Sequence, residues 1–259
     1  ITGEFKRTLW NPFVEAIEKY KLIKDGDRIA VCISGGKDSM LLARMLKMAK
    51  DYRLYDFSPE YIMMNPGYME RDMKQMEFNN LLFDILVSYF STNVFDDVEE
   101  IGKNPCFFCS RMRRGHLYRK AKELGCNKIA LGHHYDDVIE TTLMSMLYGA
   151  QARTMLPVIK SDNIEDMKLI RPMYLIREDD INLWKNRNNL NFVKCACRLN
   201  TKDGGEDTIR LRIKKLIRDL TNENPAVPAN IFGSMSGIDL EHVLSYKIDG
   251  VTHSIPDDM

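Results

Sequence analysis

No stretch of the 259 residues approaches the roughly 20 consecutive apolar positions that a helix needs to cross a bilayer. Residues 1–20 also lack the basic-then-apolar pattern of a secretory leader, so the expectation is a cytoplasmic protein with no membrane partner. Net charge is missing as well, because 37 basic and 37 acidic residues cancel. A global field is therefore no reason to expect a polyanionic partner. Internal repeats and low-complexity segments are absent, which excludes solenoids and disordered linkers. The common nucleotide loop G-x-x-x-x-G-K-[ST] is absent too. Six cysteines, in a chain expected to be cytoplasmic, point to metal or redox chemistry before disulfides.

What is present is organised around Ile29-Ala30-Val31-Cys32-Ile33-Ser34-Gly35-Gly36-Lys37-Asp38-Ser39. The β-branched apolar run reads as a buried strand. It breaks at two adjacent glycines just before the helical spacing of Met40, Leu41, Leu42, Met45, Leu46 and Met48. A helix N-terminus leaves amide hydrogens unpaired and carries partial positive charge, so anions bind there. Gly35 and Gly36 let the backbone approach a polyphosphate, while Ser34, Ser39 and Lys37 add donors and Asp38 a carboxylate able to hold magnesium. Lys37 and Asp38 are expected in an exposed loop beyond the strand. A plain strand-to-helix turn needs none of these groups, and the phosphate reading is preferred.

Hydrophobic content of 44% and charged content of 29% suit a folded globular chain, and the length suits one main α/β domain with extra segments at each end. Residues 7–21 carry Leu9, Phe13, Ile17 and Tyr20 at helical spacing, either as a surface helix or as a homodimer contact. Short strands at 60–64, 85–90, 127–131 and 168–170 alternate with helices at 70–82, beyond Asp137 and at 177–189. That alternation predicts a doubly wound, mainly parallel sheet with helices on both faces. The expected division is an N-terminal helix over 1–24, the main domain over 25–200, and a basic helix with a tail over 201–259. In the basic helix Ile209, Ile213, Leu216, Ile217 and Leu220 share the apolar side.

Strand ends line the ligand crevice of such sheets, which makes Met63 and Met64 candidates to flank an adenine, with core packing the equal alternative. Gly132-His133-His134-Tyr135-Asp136-Asp137 leaves another strand end and opens a helix. It suits a nucleotide or metal contact, although paired aspartates at a helix start are also good caps. Cys32 and Cys126 read as core residues. Cys106-Phe107-Phe108-Cys109 stands just before a helical segment beside arginines, conditions that favour metal ligation or redox work, and Cys195-Ala196-Cys197 is a second pair. Basic residues crowd 111–122 and 210–218. Such runs usually mark a solvated helix face, and their position beside the cysteines raises the odds of phosphate contacts.

S-G-G-K-D-S resembles the signature of the PP-loop ATP pyrophosphatases, which cleave ATP between its α- and β-phosphates. The ordered set of that hexamer, C-F-F-C-S-R-M-R-R-G-H-L-Y, L-G-H-H-Y-D-D-V-I-E-T, R-P-M-Y-L-I-R-E-D-D-I, C-A-C and a basic helix closely resembles the tRNA 2-thiocytidine synthetases. The resemblance implies the PP-loop fold and ATP-dependent thiolation of a tRNA. C2 of the anticodon-loop cytidine at position 32 is adenylated, and its oxygen is then replaced by sulfide carried on a 4Fe-4S cluster. Three cysteines hold that cluster: Cys106, Cys109 and, by analogy, Cys197. Family members space the second pair C-x-x-C, so the shorter C-A-C keeps Cys195 as the alternative.

The same resemblance implies an ATP site of Ser34, Gly35, Gly36, Lys37, Asp38, Ser39, Met64, Gly132 and His133. Catalytic roles fall to Lys37, Asp38, Asp137 and Arg113, with Mg2+ near Asp38 and Asp137, and tRNA contacts to Arg111, Arg114 and Arg210. A cysteine desulfurase or another sulfide donor is the implied partner. Residues 65–69 and those after Cys197 depart from better known members. The chain also lacks the additional zinc-binding cysteines of the related 2-thiouridine enzymes, which argues against a thiolase for that base. A lysidine synthetase has no use for the cysteines. A non-catalytic RNA-binding module with a closed four-cysteine zinc site leaves S-G-G-K-D-S and G-H-H-Y-D-D without work.

Overall fold

The computed structural model describes residues 1–101, 105–161, 164, 166–193 and 209–254, without the side chains of 105–107. Its main sheet contains β1 (Arg28–Ile33), β2 (Ser58–Asn65), β3 (Val87–Ser91), β4 (Lys128–Ala130), β5 (Val158–Lys160) and β6 (Lys168–Ile170). Their spatial order is β3-β2-β1-β4-β6-β5. All pairings are parallel except that of β5 with β6 at the edge. The mainly parallel sheet expected from the alternation of elements is therefore present.

Side chains of β1 alternate between two buried faces, as a central parallel strand requires. Ile29, Val31 and Ile33 join one hydrophobic cluster with residues of α1 (Asn11–Tyr20), α2 (Lys37–Asp51) and α7 (Glu178–Arg187). Ala30 and Cys32 join another with Ala121 of α5 (Pro105–Glu123). Helices thus cover both faces. The chain runs outward from β1 to β2 and β3, then returns to place β4 on the other side of β1. That reversal opens a crevice at the carboxyl ends of β1 and β4. At the opposite end, Asp27 and Lys128 form a buried ion pair. Asp27 also accepts hydrogen bonds from Lys24 N at 2.6 Å and Asn127 Nδ2 at 2.8 Å, and Lys128 donates to Leu22 O at 2.9 Å. Every strong group of that buried pair has a partner, as burial of charge demands.

Several elements differ from expectation. The helix α5 begins at Pro105, so the first cysteine pair lies within its first two turns rather than ahead of it. Proline at the first helical position loses no hydrogen bond. Strand β3 starts two residues later than the apolar run, at Val87. The helix α4 (Val94–Ile101), absent from the expected elements, buries Val94, Phe95 and Val98 at helical spacing and carries Asp96 and Asp97 in its first turn. The three-residue β5 is too short to show a period. The helix α3 (Glu70–Leu82) matches its expected bounds.

Beyond the main sheet, α8 (Ile209–Glu223) buries Ile213 and Ile217 against Ile139 of α6 (Tyr135–Gly149), while Ile209 and Leu216 stay exposed. Its buried stripe is narrower than the sequence reading. The tail adds α9 (Val227–Ser234), whose Phe232 stacks on Tyr135 with ring centroids 4.3 Å apart, and a hairpin of β7 (Ser245–Ile248) and β8 (Val251–Ser254). No helix among the described residues is long and apolar enough to cross a membrane.

Candidate active site

A cavity of about 440 Å³ occupies the crevice between the ends of β1 and β4. One wall is the turn from β1 into α2. Ser39 Oγ donates to Gly36 O at 2.9 Å and accepts from Ser34 N and Ser34 Oγ, both at 3.1 Å, so the turn is closed by its own hydroxyls. Gly35 sits at φ +80°. A Cβ there would lie 2.7 Å from Met76 carbons, so both backbone torsion and space call for glycine. The facing wall approaches closely because Gly132 lacks a side chain: its Cβ would stand 3.0 Å from Asp38 C and 3.1 Å from Ser39 N. These contacts set the start of α6 against the start of α2.

There His134 and Asp137 form a reciprocal cap. His134 Nδ1 accepts from Asp137 N at 3.4 Å, and Asp137 Oδ2 accepts from His134 N at 3.1 Å. His134 Nε2 then lies 3.6 Å from Asp137 Oδ2 and 3.9 Å from Asp38 Oδ1, which brings two carboxylates of different elements to one point. His133 lines the cavity, and its Nδ1 has no partner among the described residues. Burial, reinforced by the Arg171 guanidinium and opposed by Asp137, pushes its pKa down to about 4. At neutral pH this imidazole is uncharged.

Ion pairs link the cavity to α7 and α8. Lys37 Nζ lies 2.9 Å from Asp38 Oδ1 and 3.2 Å from Glu178 Oε1, while Lys214 pairs with the other Glu178 oxygen. Burial opposes ionisation of Glu178, yet Lys214 and Lys37 outweigh it and hold the carboxyl at about 2. Burial likewise opposes the Lys37 ammonium, but Asp38 and Glu178 raise its pKa. Arg210 reaches Asp137 Oδ1 at 3.4 Å and Glu140 Oε2 at 3.3 Å. Burial raises Glu140 to about 7, against the pull of Arg210 and with help from Asp137. From the α5 side, Arg113 and Arg114 complete the wall, Arg113 donating to the Tyr68 hydroxyl at 3.2 Å. The site therefore joins a hydroxyl-lined helix start, a carboxylate pair and two guanidinium groups.

The PP-loop domain family matches residues 5–213. The chain is 37% identical over 243 residues to tRNA-cytidine(32) 2-sulfurtransferase 1 of Francisella philomiragia, covering 92% of this chain and 93% of that protein. It is 35% identical over 238 residues to the tRNA-cytidine(32) 2-sulfurtransferase of Coxiella burnetii, covering 90% and 91%. The chain belongs to the tRNA-cytidine(32) 2-sulfurtransferase family of PP-loop proteins. Among solved structures, the fold is similar to that of the U34-tRNA thiolase NcsA from Methanococcus maripaludis with its [4Fe-4S] cluster. The TM-score is 0.69 at 22% identity, covering 90% of this chain and 79% of that one.

Within this 2-sulfurtransferase family member, the cavity brings together Ser34, Gly36, Asp38, Ser39, Met64, Gly132, His133, Asp137, Arg113 and Arg114. Met64 is buried and stands on the cavity wall. Gly35 lies beneath the turn against Met76. Lys37 and Asp38 are not in an exposed loop: they form the first turn of α2, with side chains 21% and 32% exposed. Asp38 and the glycines leave too little chain for a loop once Gly36 caps the helix. Arg111 lies on the far side of α5 from the cavity. Arg210 is engaged by Asp137 and Glu140. Cys109 is buried among Val94, Phe95 and Val98. Cys106 lies in the first turn of α5 with its side chain outside the described residues, as are Cys195 and Cys197 entirely.

Three residues of the site were missed in the sequence reading. His134 was seen only as part of a motif, although its place before a helix and three ahead of Asp137 is a capping-box spacing. Glu178 and Arg171 both lie in R-P-M-Y-L-I-R-E-D-D-I. Arg171 is 7% exposed, donates to Leu156 O and keeps an unpartnered Nε among the described residues. Nothing in the local pattern distinguishes a buried arginine from a surface one.

Proposed function

We propose that the protein thiolates C2 of the cytidine at position 32 of a tRNA in two steps, adenylation by ATP and displacement of AMP by sulfide. The observation that carries this reading is that one helix, α5, supplies both the Cys106/Cys109 pair and the arginines of the nucleotide cavity. A reagent held by those thiols would then be carried on the same helix as the arginines that line the cavity.

In the first step the C2 oxygen of cytosine attacks the α-phosphorus, the bond to the β-phosphate oxygen breaks, and pyrophosphate leaves. The amide and hydroxyl donors at the start of α2 receive the phosphates. Lys37, held beside the start of α2 by Glu178 and Asp38, and Arg113 and Arg114 spread the developing charge. Neutral His133 offers its free Nδ1 to the nucleotide without adding charge. Hydrosulfide then attacks C2, the C–O bond breaks, AMP departs, and loss of the sulfur proton leaves the thiocarbonyl.

Asp38 and Asp137, which converge on His134 Nε2, suit Mg2+, an ion that uses one or two protein carboxylates and takes its remaining ligands from phosphates and water. Thiolates at positions 106 and 109, one helical turn apart, suit an iron-sulfur cluster, with Cys197 as the third ligand and Cys195 in reserve. Such a cluster, held by these cysteines, would supply the sulfide that replaces the oxygen. Sulfide comes from a cysteine desulfurase or another donor. The metal content of anaerobically purified protein tests the reading: iron with inorganic sulfide is expected, and zinc alone would overturn it in favour of a structural zinc module.

A further inference from the structure

At about 100° per residue, the two sides of α5 carry different chemistry. Ser110, Arg113, Arg114 and Leu117 face the nucleotide cavity. Phe108, Arg111, Met112, His116 and Arg119 fall on the opposite side and line a surface groove of about 450 Å³. His116 and Arg119 also line an adjoining hollow of about 460 Å³ that extends to Ser91, Thr92 and Asn93 at the end of β3. Sharing two residues, the hollows form one continuous track.

We propose that this track binds the sugar-phosphate backbone of the tRNA substrate, so that α5 grips RNA on its outer face and handles the reacting base on its inner one. The inference rests on the tRNA reading above. Arg111 and Arg119 are exposed and have no carboxylate partner among the described residues, whereas Lys120 pairs with Glu123 at 3.3 Å. In a chain of zero net charge, unpaired guanidinium groups along one track are a local anion site rather than part of a general field. Phe108 and Met112 add apolar surface between the charges, on which a base or ribose can rest.

The hollow nearer β3 selects among anions. Asp97 and Glu123 stand in its wall beside Thr92, whose hydroxyl has no partner among the described residues. A fully ionised phosphate group brings these carboxylates only repulsion. A ribose 2′-hydroxyl donates to a carboxylate and accepts from a threonine, so a strand alternating phosphates with riboses satisfies both ends of the track.

Binding of unmodified tRNA to the full-length protein, titrated across salt concentrations, tests the proposal. For the double variant Arg111→Gln with Arg119→Gln, the slope of log affinity against log salt should fall by about 1.4–1.8, from loss of two phosphate contacts at about 0.7–0.9 each. ATP affinity should stay at the wild-type value. Thr92→Val should weaken an RNA anticodon stem-loop but leave its all-deoxy counterpart unchanged. Lys50→Glu, at the far end of α2, is the control and should leave the slope unaltered. A wild-type slope in the double variant, while the wild type binds tRNA, overturns the track alone and leaves the thiolation reading standing. Failure of the wild-type protein to bind tRNA at low salt removes the reading on which the track depends.

Discussion

Glu178→Gln should destabilise the protein in a way that fades in acid. The carboxylate is 18% exposed and shared by Lys37 and Lys214, which hold it at about 2 against an ordinary 4.5. That displacement corresponds to about 3 kcal/mol of folding stability at pH 7. Because the folded-state pKa is depressed, the contribution is fully present above the unfolded value near 4.5 and is lost as pH falls through about 2. At pH 3 roughly 1.4 kcal/mol remains, so the stability gap between wild type and variant narrows by about 2 kcal/mol. For a domain of this size that is a narrowing of about 4–8 °C in Tm. Calorimetry of both proteins at pH 7 and pH 3 reads it directly, since all other titrating groups cancel in the difference. A gap that is constant, or wider at pH 3, would refute the shared-carboxylate account. The variant should also release pyrophosphate more slowly, because Lys37 loses the group that fixes its ammonium beside the start of α2.

Gly132→Ala places a Cβ 3.0–3.1 Å from backbone atoms of Asp38 and Ser39, which cannot rotate away. It should cost about 1–3 kcal/mol in denaturant unfolding and raise the KM for ATP, and wild-type values of both would show that the approach of the two walls is dispensable. Glu140 has the opposite sign from Glu178: burial raises it to about 7, so its contribution is fully present below the unfolded value of 4.5 and is lost as pH rises through 7. Glu140→Gln should therefore flatten the fall in stability between pH 5 and pH 8, and an unchanged profile would contradict a raised carboxyl. Cys109→Ser and Cys197→Ser should abolish iron binding on anaerobic reconstitution while Cys195→Ser retains it, and the reverse pattern for the last two would exchange their roles.

The centre of the fold was legible because it is written in local patterns. Ile29–Ile33 followed by two glycines has a single economical reading, and the alternation after it sets a parallel sheet whose crevice lies beyond β1 and β4. Met64, Gly132, His133 and Asp137 were findable because each ends or follows a strand or opens a helix at that crevice. The ion-pair network was not legible. Glu178 is 141 residues from Lys37 in sequence, and a glutamate at a helix start looks the same whether it caps the helix or bridges two lysines. The direction of Arg111 was not legible for a geometric reason: a basic run on a helix says nothing of which members face a cavity until the neighbouring strands are placed. Arg113 and Arg111, two residues apart, point to different surfaces.

The most direct test of the account is to incubate the anaerobically reconstituted protein with ATP, magnesium, sulfide and unmodified tRNA, then analyse the nucleosides and nucleotides by mass spectrometry. The account predicts 2-thiocytidine at position 32, with AMP and pyrophosphate formed in step with each sulfur inserted and neither formed by Lys37→Ala or Asp38→Ala. Thiolation of a different base, or ADP and phosphate in place of AMP and pyrophosphate, would contradict it.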